Sequence, residues 1–337
     1  VVFAFNFGKK YNMKLVGVIC GGFSSEYEIS LKSGQTIVNN FPSNYEAVKI
    51  VYTKEKCEVL WQNNWLPIDI STLKFSANGM QKTIDFAIIY IHGNPGENGK
   101  LQALFDMNDV HYINCGALAS ELSFDKWYCN QFLRNFGIPV AKSQLLLKGE
   151  SIDATAIIDN LELPVFVKPC DSGSSFGISR VNELNDFQKA LDVAFNEGNT
   201  VVVESFLNGT EVTCGVYATE NGLKALPLAE IVSENEFFDY EAKYLGKSQE
   251  IVPARISDEL TIAVQELALK IYSLLRLRSI IRIDFMIVNN VPHVIEVNTT
   301  PGFTEESIVP RMLKVEGLSI TDFWSQIMDF ETKRLRK

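Results

Sequence analysis

The stretch RIDFMIVNNVPHVIEVNTTPG at residues 282–302 limits the fold more than any other. Two runs rich in β-branched residues flank Asn289 and Asn290, a turn-like pair, so the segment predicts a β-hairpin. Side chains alternate along a strand, which sets Arg282 and Asp284 on one face and Ile283, Phe285 and Ile287 on the other. Glu296 and Asn298 likewise share a face. Directly paired residues of an antiparallel hairpin point the same way, so Asp284 opposite Glu296 requires an odd loop, for example 289–291. A two-residue Asn-Asn turn would send the two carboxylates to opposite faces. One consequence is an exposed face with solvated charge. The other is a set of hard oxygen donors, Asp284, Glu296 and Asn298, of the kind that Mg²⁺ takes together with phosphate and water. Two carboxylates held close repel one another unless a cation lies between them.

The chain has 337 residues, enough for two or three units with separate cores, and its 46 % hydrophobic and 21 % charged content suits a folded globular protein. With 31 basic and 41 acidic residues its net charge is -10, which disfavours nucleic acid and anionic membrane as partners and leaves a small polyanion in a local basic pocket. Six cysteines without a CxxC pair predict reduced thiols rather than disulfides or a zinc site, and with them a cytoplasmic protein. The opening VVFAFNFGKK is shorter than a spanning helix and lacks the order of a signal peptide, so residues 1–12 read as an upstream extension.

From residue 13 onward KLVGVIC reads as a buried strand, GGFSSEYE as a glycine-led loop and ISLKSGQTIVNNF as a helix. The strands AVKIVYT and FAIIYIH and the hairpin-like CEVLWQNNWLPI complete an open parallel-sheet unit over 13–114, with HGNPGENG at the end of its last strand. A second unit, 115–204, opens with the helix DKWYCNQFLRNFG and alternates SQLLLK, VFVKP, GISRV and TVVVESF with a helix at DFQKALDVAFNEG. A third, 205–337, holds EVTCGVYA, a polar loop around 233–250, a long helix over 257–277, the hairpin and a C-terminal helix with a basic tail. The first unit is α/β and the other two are α+β with antiparallel sheets.

KPCDSGSSFGI at 168–178 follows a strand, and Gly173 and Gly177 allow it to fold over phosphate with Ser172, Ser174 and Ser175 as hydroxyl donors. It lacks the order of a Walker loop. Lys126, Lys168 and Lys243 are candidate counter-charges, and Glu204 and Glu211 candidate contacts to adenine and ribose.

Taken in order, GGFSSEYEIS, HGNPGENG, VKPCDSGSSFG, FFDYEAKY, RIDF and EVNTTPGFTEESIVP make the chain resemble an ATP-grasp enzyme of the D-alanine:D-alanine ligase family. The resemblance implies a three-domain ATP-grasp fold with ATP clasped between the central and C-terminal sheets. It implies two Mg²⁺ ions on Asp284, Glu296 and Asn298, Lys126 and Lys168 at phosphate, and Lys243 reaching the γ-phosphate. Phe206, Leu207, Phe237 and Met286 would line the adenine pocket, with Glu204 and Glu211 at adenine and ribose. Glu26 and His92 would hold the first D-alanine; Arg282, Gly302 and Ser307 would serve the second and the oxyanion. Glu26, Ser174 and Tyr244 would form a hydrogen-bonded triad across the three domains. It further implies peptidoglycan precursor synthesis and a homodimer through the N-terminal domain. Four positions depart from the family pattern. Asn98 lacks a usual charge, which predicts a looser loop; Ser205 stands where lysine is common; and Glu305 and Glu306 bring acid next to the second subsite.

Overall fold

A computed structural model describes residues 13–171, 173, 176–233 and 248–334. Of the expected site residues, Ser174, Phe237, Lys243 and Tyr244 lie outside the described residues. The apolar run after Lys14 becomes β1 (Lys14–Gly21), of which every residue but the first is buried. It lies between β2 (Tyr45–Tyr52) and β7 (Phe86–Ile89), and both pairings are parallel. The sheet then grows away from β2 as an antiparallel meander: β3 (Cys57–Trp61), β4 (Asn64–Asp69), β5 (Lys74–Ala77) and β6 (Met80–Thr83). The parallel character expected of this unit thus belongs to three of its seven strands. At four residues each, β5 (KFSA) is too short for its alternation to stand out and β6 (MQKT) has none, so neither gave a signal in the sequence.

A second sheet has the order β10-β9-β11-β8 and is antiparallel: β8 (Ser143–Leu147), β9 (Val165–Pro169), β10 (Ser179–Val181) and β11 (Thr200–Ser205). Val165, Val167, Val201 and Val203 point to a core shared with helices at Ala154–Leu161 and Phe187–Glu197. Phe166, Lys168 and Glu204 therefore face the other way. The third sheet is built on β12 (Thr210–Thr219), flanked by β16 (Ile281–Val288) on one side and by β13 (Gly222–Ala225) and β14 (Ala229–Ser233) on the other. β15 (Ser248–Ile251) and β17 (Val291–Asn298) are its edges.

A helix over Asp258–Leu274 packs Val264, Ala268 and Ile271 against β12 and β13, into the core that also takes the apolar face of the β16-β17 hairpin. The Ser257 hydroxyl caps it by accepting from the Leu260 amide at 3.3 Å, and Asp258 and Glu259 favour the positive end of its dipole. The expected C-terminal helix is two, Ile308–Val315 and Ile320–Arg334, broken at Gly317, whose φ of 75° suits glycine. The second of these packs Phe323 and Trp324 in one core with Val16, Ile88, Tyr90 and Phe303. The N-terminal sheet and the C-terminal segment therefore share an interior, in which each large apolar side chain contributes about 2–3 kcal/mol.

Candidate active site

Asn289 and Asn290 have φ of 49° and 63°, the left-handed backbone of a two-residue hairpin turn. Val288 pairs with Val291, Ile287 with Pro292, Met286 with His293 and Phe285 with Val294. The register then slips by one, and Asp284 faces Glu296, Ile283 faces Val297 and Arg282 faces Asn298. A β-bulge at Ile295 resolves the dilemma posed by the sequence. The short turn is present, and the extra residue returns both carboxylates and the amide to one face. The bulge also shows in burial, since Val294 and Val297 both enter the core although three positions apart.

Asp284 is 7 % exposed and its oxygens are heavily engaged. Arg282 grips it with a fork, Nε to Oδ1 and Nη2 to Oδ2, both at 2.8 Å. Thr213 Oγ1 on the adjacent β12 donates to Oδ1 at 2.5 Å, and Asn298 Nδ2 donates to Oδ2 at 3.1 Å. Burial opposes the charge on Arg282, but Asp284, then Glu296 and Glu250, outweigh it, so the guanidinium sits above its ordinary value and stays charged. Lys126 Nζ lies 3.6 Å from Glu296 Oε2. Among the described residues no three His, Cys, Asp or Glu side chains form a metal cage. The donor set is two carboxylates and one amide on a single face, which fits a cation that completes its shell with phosphate and water.

That face opens into a cavity of about 380 Å³ lined by residues from every part of the chain. Glu26 and His92 come from the loops that follow β1 and β7, Lys126 from the start of the helix Lys126–Arg134, and Arg282, Glu296 and Asn298 from the hairpin. Gly302 and Ser307 come from the loop that follows it. Eight of the expected residues are thereby brought together, with Asp284 beneath them. Gly173 also lines the cavity, and a Cβ there would meet Glu26 Oε2 at 2.6 Å, so a larger residue would push the carboxylate aside.

His92 has both ring nitrogens occupied. Nδ1 lies 2.9 Å from the Thr300 carbonyl and so carries the proton, and Nε2 lies 3.3 Å from Ser33 Oγ. Burial lowers its pKa against the pull of Glu26, which keeps the ring neutral. With Nδ1 as the donor, the neutral Nε2 accepts from Ser33, so it can meet an amino-acid carboxylate only once the ring takes up a proton.

The expected nucleotide residues lie on facing sheets beside the cavity. Lys168 pairs with Glu204 at 2.7 Å, and the ammonium stands 5.3 Å from the Phe166 ring centre. Phe206 lies 6.0 Å from Phe166 and is covered by the Arg180 guanidinium at 4.7 Å. Leu207 follows it in the link to β12. Opposite, Glu211 and Met286 are paired neighbours on β12 and β16, on the face that carries Asp284. Asn130 Nδ2 bridges the two sheets through Glu204 Oε1 at 3.4 Å and the Ile295 carbonyl at 3.5 Å.

Two further carboxylates line the cavity, and neither stood out in the sequence. Glu97 accepts from the amides of Gly93 at 2.8 Å and Thr300 at 3.1 Å, and burial, then Glu26, push its carboxyl up to about 8. Glu250 accepts from Arg311 Nη1 at 2.8 Å, and burial raises its carboxyl against the pull of Arg311 and Arg282. In the loop where a charge is usual, Asn98 Nδ2 donates to Asn94 Oδ1 at 3.0 Å.

The family described as D-ala D-ala ligase N-terminus matches residues 15–115, and that described as D-ala D-ala ligase C-terminus matches 132–329. The chain belongs to the D-alanine–D-alanine ligase family. A D-alanine–D-alanine ligase of Parabacteroides distasonis is 43 % identical over 95 % of this chain and 98 % of its own. Among solved structures, the VanG D-Ala:D-Ser ligase from Enterococcus faecalis superimposes with a TM-score of 0.83 at 30 % identity, over 94 % of this chain and 99 % of that one. The D-alanine–D-alanine ligase from Bacillus anthracis complexed with ATP does so with a TM-score of 0.77 at 26 % identity, over 96 % and 99 %.

Proposed function

We propose that the protein joins two D-alanine molecules into D-alanyl-D-alanine at the expense of ATP, through an acyl phosphate, as a step in peptidoglycan precursor synthesis. One observation carries the reading. A single cavity gathers Glu26 and His92 from the first sheet and Arg282, Glu296 and Asn298 from the hairpin, beside facing sheets that bear Lys168, Glu204 and Met286. The unit boundaries near residues 114 and 204 are part of the same proposal.

A carboxylate is a poor electrophile until one of its oxygens becomes a leaving group. Phosphoryl transfer from ATP to the first D-alanine supplies that group, and the amine of the second then displaces phosphate through a tetrahedral intermediate. Asp284, Glu296 and Asn298 would hold Mg²⁺, which when bound neutralises triphosphate charge and favours transfer. Lys126 and Lys168 bind phosphate oxygens, leaving their present carboxylate partners Glu296 and Glu204. Glu204 then turns to the adenine edge, with Phe206, Leu207 and Met286 around the ring and Glu211 at the ribose. Arg282, fixed in plane by Asp284 and charged at any working pH, stabilises the oxyanion and the second carboxylate. Glu26 takes the first ammonium, and the Gly302 amide and Ser307 hydroxyl complete the second subsite. Ser174 and Tyr244, with Glu26, would order the lid, and Lys243 would meet the γ-phosphate.

Product analysis tests the proposal: purified protein with Mg²⁺ and ATP is given D-alanine, L-alanine, D-serine or D-lactate. D-alanyl-D-alanine with stoichiometric ADP and phosphate is expected from D-alanine alone. Phosphate release without a dipeptide, or a dominant mixed product when D-serine or D-lactate is added, would overturn it.

A further inference from the structure

The segment 300–303 leaves β17 and carries Gly302 into the cavity, and it is held by side chains of the N-terminal sheet and its first helix, Tyr27–Asn39. Glu97 accepts from the Thr300 amide at 3.1 Å, and His92 donates to the Thr300 carbonyl at 2.9 Å. Tyr90 donates to the Pro301 carbonyl at 2.9 Å, and Ser33 accepts from the Phe303 amide at 3.2 Å. Of these four, Glu97 is the carboxylate, and it binds two loops at once: its other oxygen accepts from the Gly93 amide at 2.8 Å, next to His92.

We propose that Glu97 is a positioning residue that couples the two amino-acid subsites, fixing the His92 loop and the Gly302 loop to each other through one carboxylate. The proposal rests on the functional reading above, in which His92 and Glu26 serve the first substrate and Gly302 and Ser307 the second. Its physical basis is that both amides lie where the surrounding protein replaces water, so loss of the shared acceptor frees both loops together. The same geometry makes the coupling responsive. The charge on Glu26 opposes ionisation of Glu97, with burial the larger effect. An ammonium bound at Glu26 relieves that opposition, makes Glu97 a stronger acceptor and firms the Gly302 loop for the second substrate. By reciprocity, occupancy of the second subsite tightens the first.

The test compares Glu97→Ala and Glu97→Gln with the parent enzyme in steady-state kinetics, measuring KM for ATP and both apparent KM values for D-alanine. In Glu97→Ala both D-alanine values are expected to rise by about tenfold or more, while KM for ATP stays within about twofold, because the nucleotide residues lie outside the clamp. Glu97→Gln, which retains one acceptor oxygen, is expected to fall between the two; if the alanine variant does not fold, it alone decides. A change in only one D-alanine value, an equal rise in KM for ATP, or no change would overturn the coupling. Amide hydrogen exchange at Gly93 and Thr300 reads the clamp without turnover and should quicken in both variants; unchanged exchange would overturn it. A parent enzyme that makes no dipeptide from D-alanine would defeat the functional reading instead, with the exchange result still judging the clamp.

Discussion

Glu296 shows how one atom's placement divides folding from chemistry. It lies on an edge strand and opens to the cavity, 3.6 Å from Lys126, so Glu296→Gln removes charge without removing a core side chain. Turnover is expected to fall by about a hundredfold or more, as for a group that acts mainly in the transition state, while the denaturant midpoint stays within about 0.5 kcal/mol of the parent. Steady-state kinetics with urea unfolding checks both halves, and near-normal turnover would remove Glu296 from the metal set. Glu306 makes a second case. It is exposed at the cavity wall beside Ser307 and makes no ion pair among the described residues. Zwitterionic D-alanine has no net charge and D-lactate carries one negative charge, so this carboxylate disfavours the hydroxy acid more. Glu306→Gln is expected to lower the second KM for D-alanine by about twofold, with a larger gain for D-lactate, and both gains should shrink in high salt. Salt-independent values would contradict this. Arg282 and Asp284 were legible as neighbours on one face, and Glu296 and Asn298 likewise, because side chains alternate along a regular stretch of strand. Glu97 and Glu250 were not, since their significance comes from burial against distant segments.

At the scale of elements the hairpin is the instructive case. The residues on each strand were read correctly, but the register depended on a bulge that leaves no local mark, because Ile295 looks like any strand residue. Only the demand that Val294 and Val297 both reach the core selects it. The turn itself follows from its residues. Asparagine tolerates positive φ, whereas a β-branched residue there is strained. Replacing Asn289 and Asn290 together by valine is expected to cost about 2 kcal/mol or more, and Asn290→Gly to be neutral or stabilising. Urea titration distinguishes them, and a valine pair as stable as the parent would show that the turn does not set this hairpin. The same reasoning explains the other departures in the fold. The break at Gly317 turns on one positive φ inside a helical pattern, and the meander strands β5 and β6 are too short to announce themselves.

For the whole molecule, the question is how a chain of net charge -10 accepts a triphosphate. The N-terminal unit, Gly173 and the loop after the hairpin meet at one cavity through pairs as far apart as Glu97 and Thr300, an arrangement that the local sequence does not contain. Within it, Lys126, Lys168 and Arg282 are already matched by Glu296, Glu204 and Asp284, so a bare triphosphate adds negative charge to a site whose cations are spoken for. A divalent ion changes that balance by occupying the hairpin carboxylates and freeing Lys126 for phosphate, while Lys168 is freed as Glu204 turns to adenine. ATP with Mg²⁺ at a hundred times its Kd is therefore expected to raise unfolding stability by about 2.7 kcal/mol, and ATP with a chelator by far less. In Asp284→Asn the difference between the two conditions should largely vanish, because removing one carboxylate charge weakens the metal and also releases Arg282 from its fork. Thermal unfolding of both proteins under each condition measures it. Equal stabilisation of the parent with and without Mg²⁺ would mean that the lysines reach phosphate unaided, and the carboxylate face of the hairpin would then need another explanation.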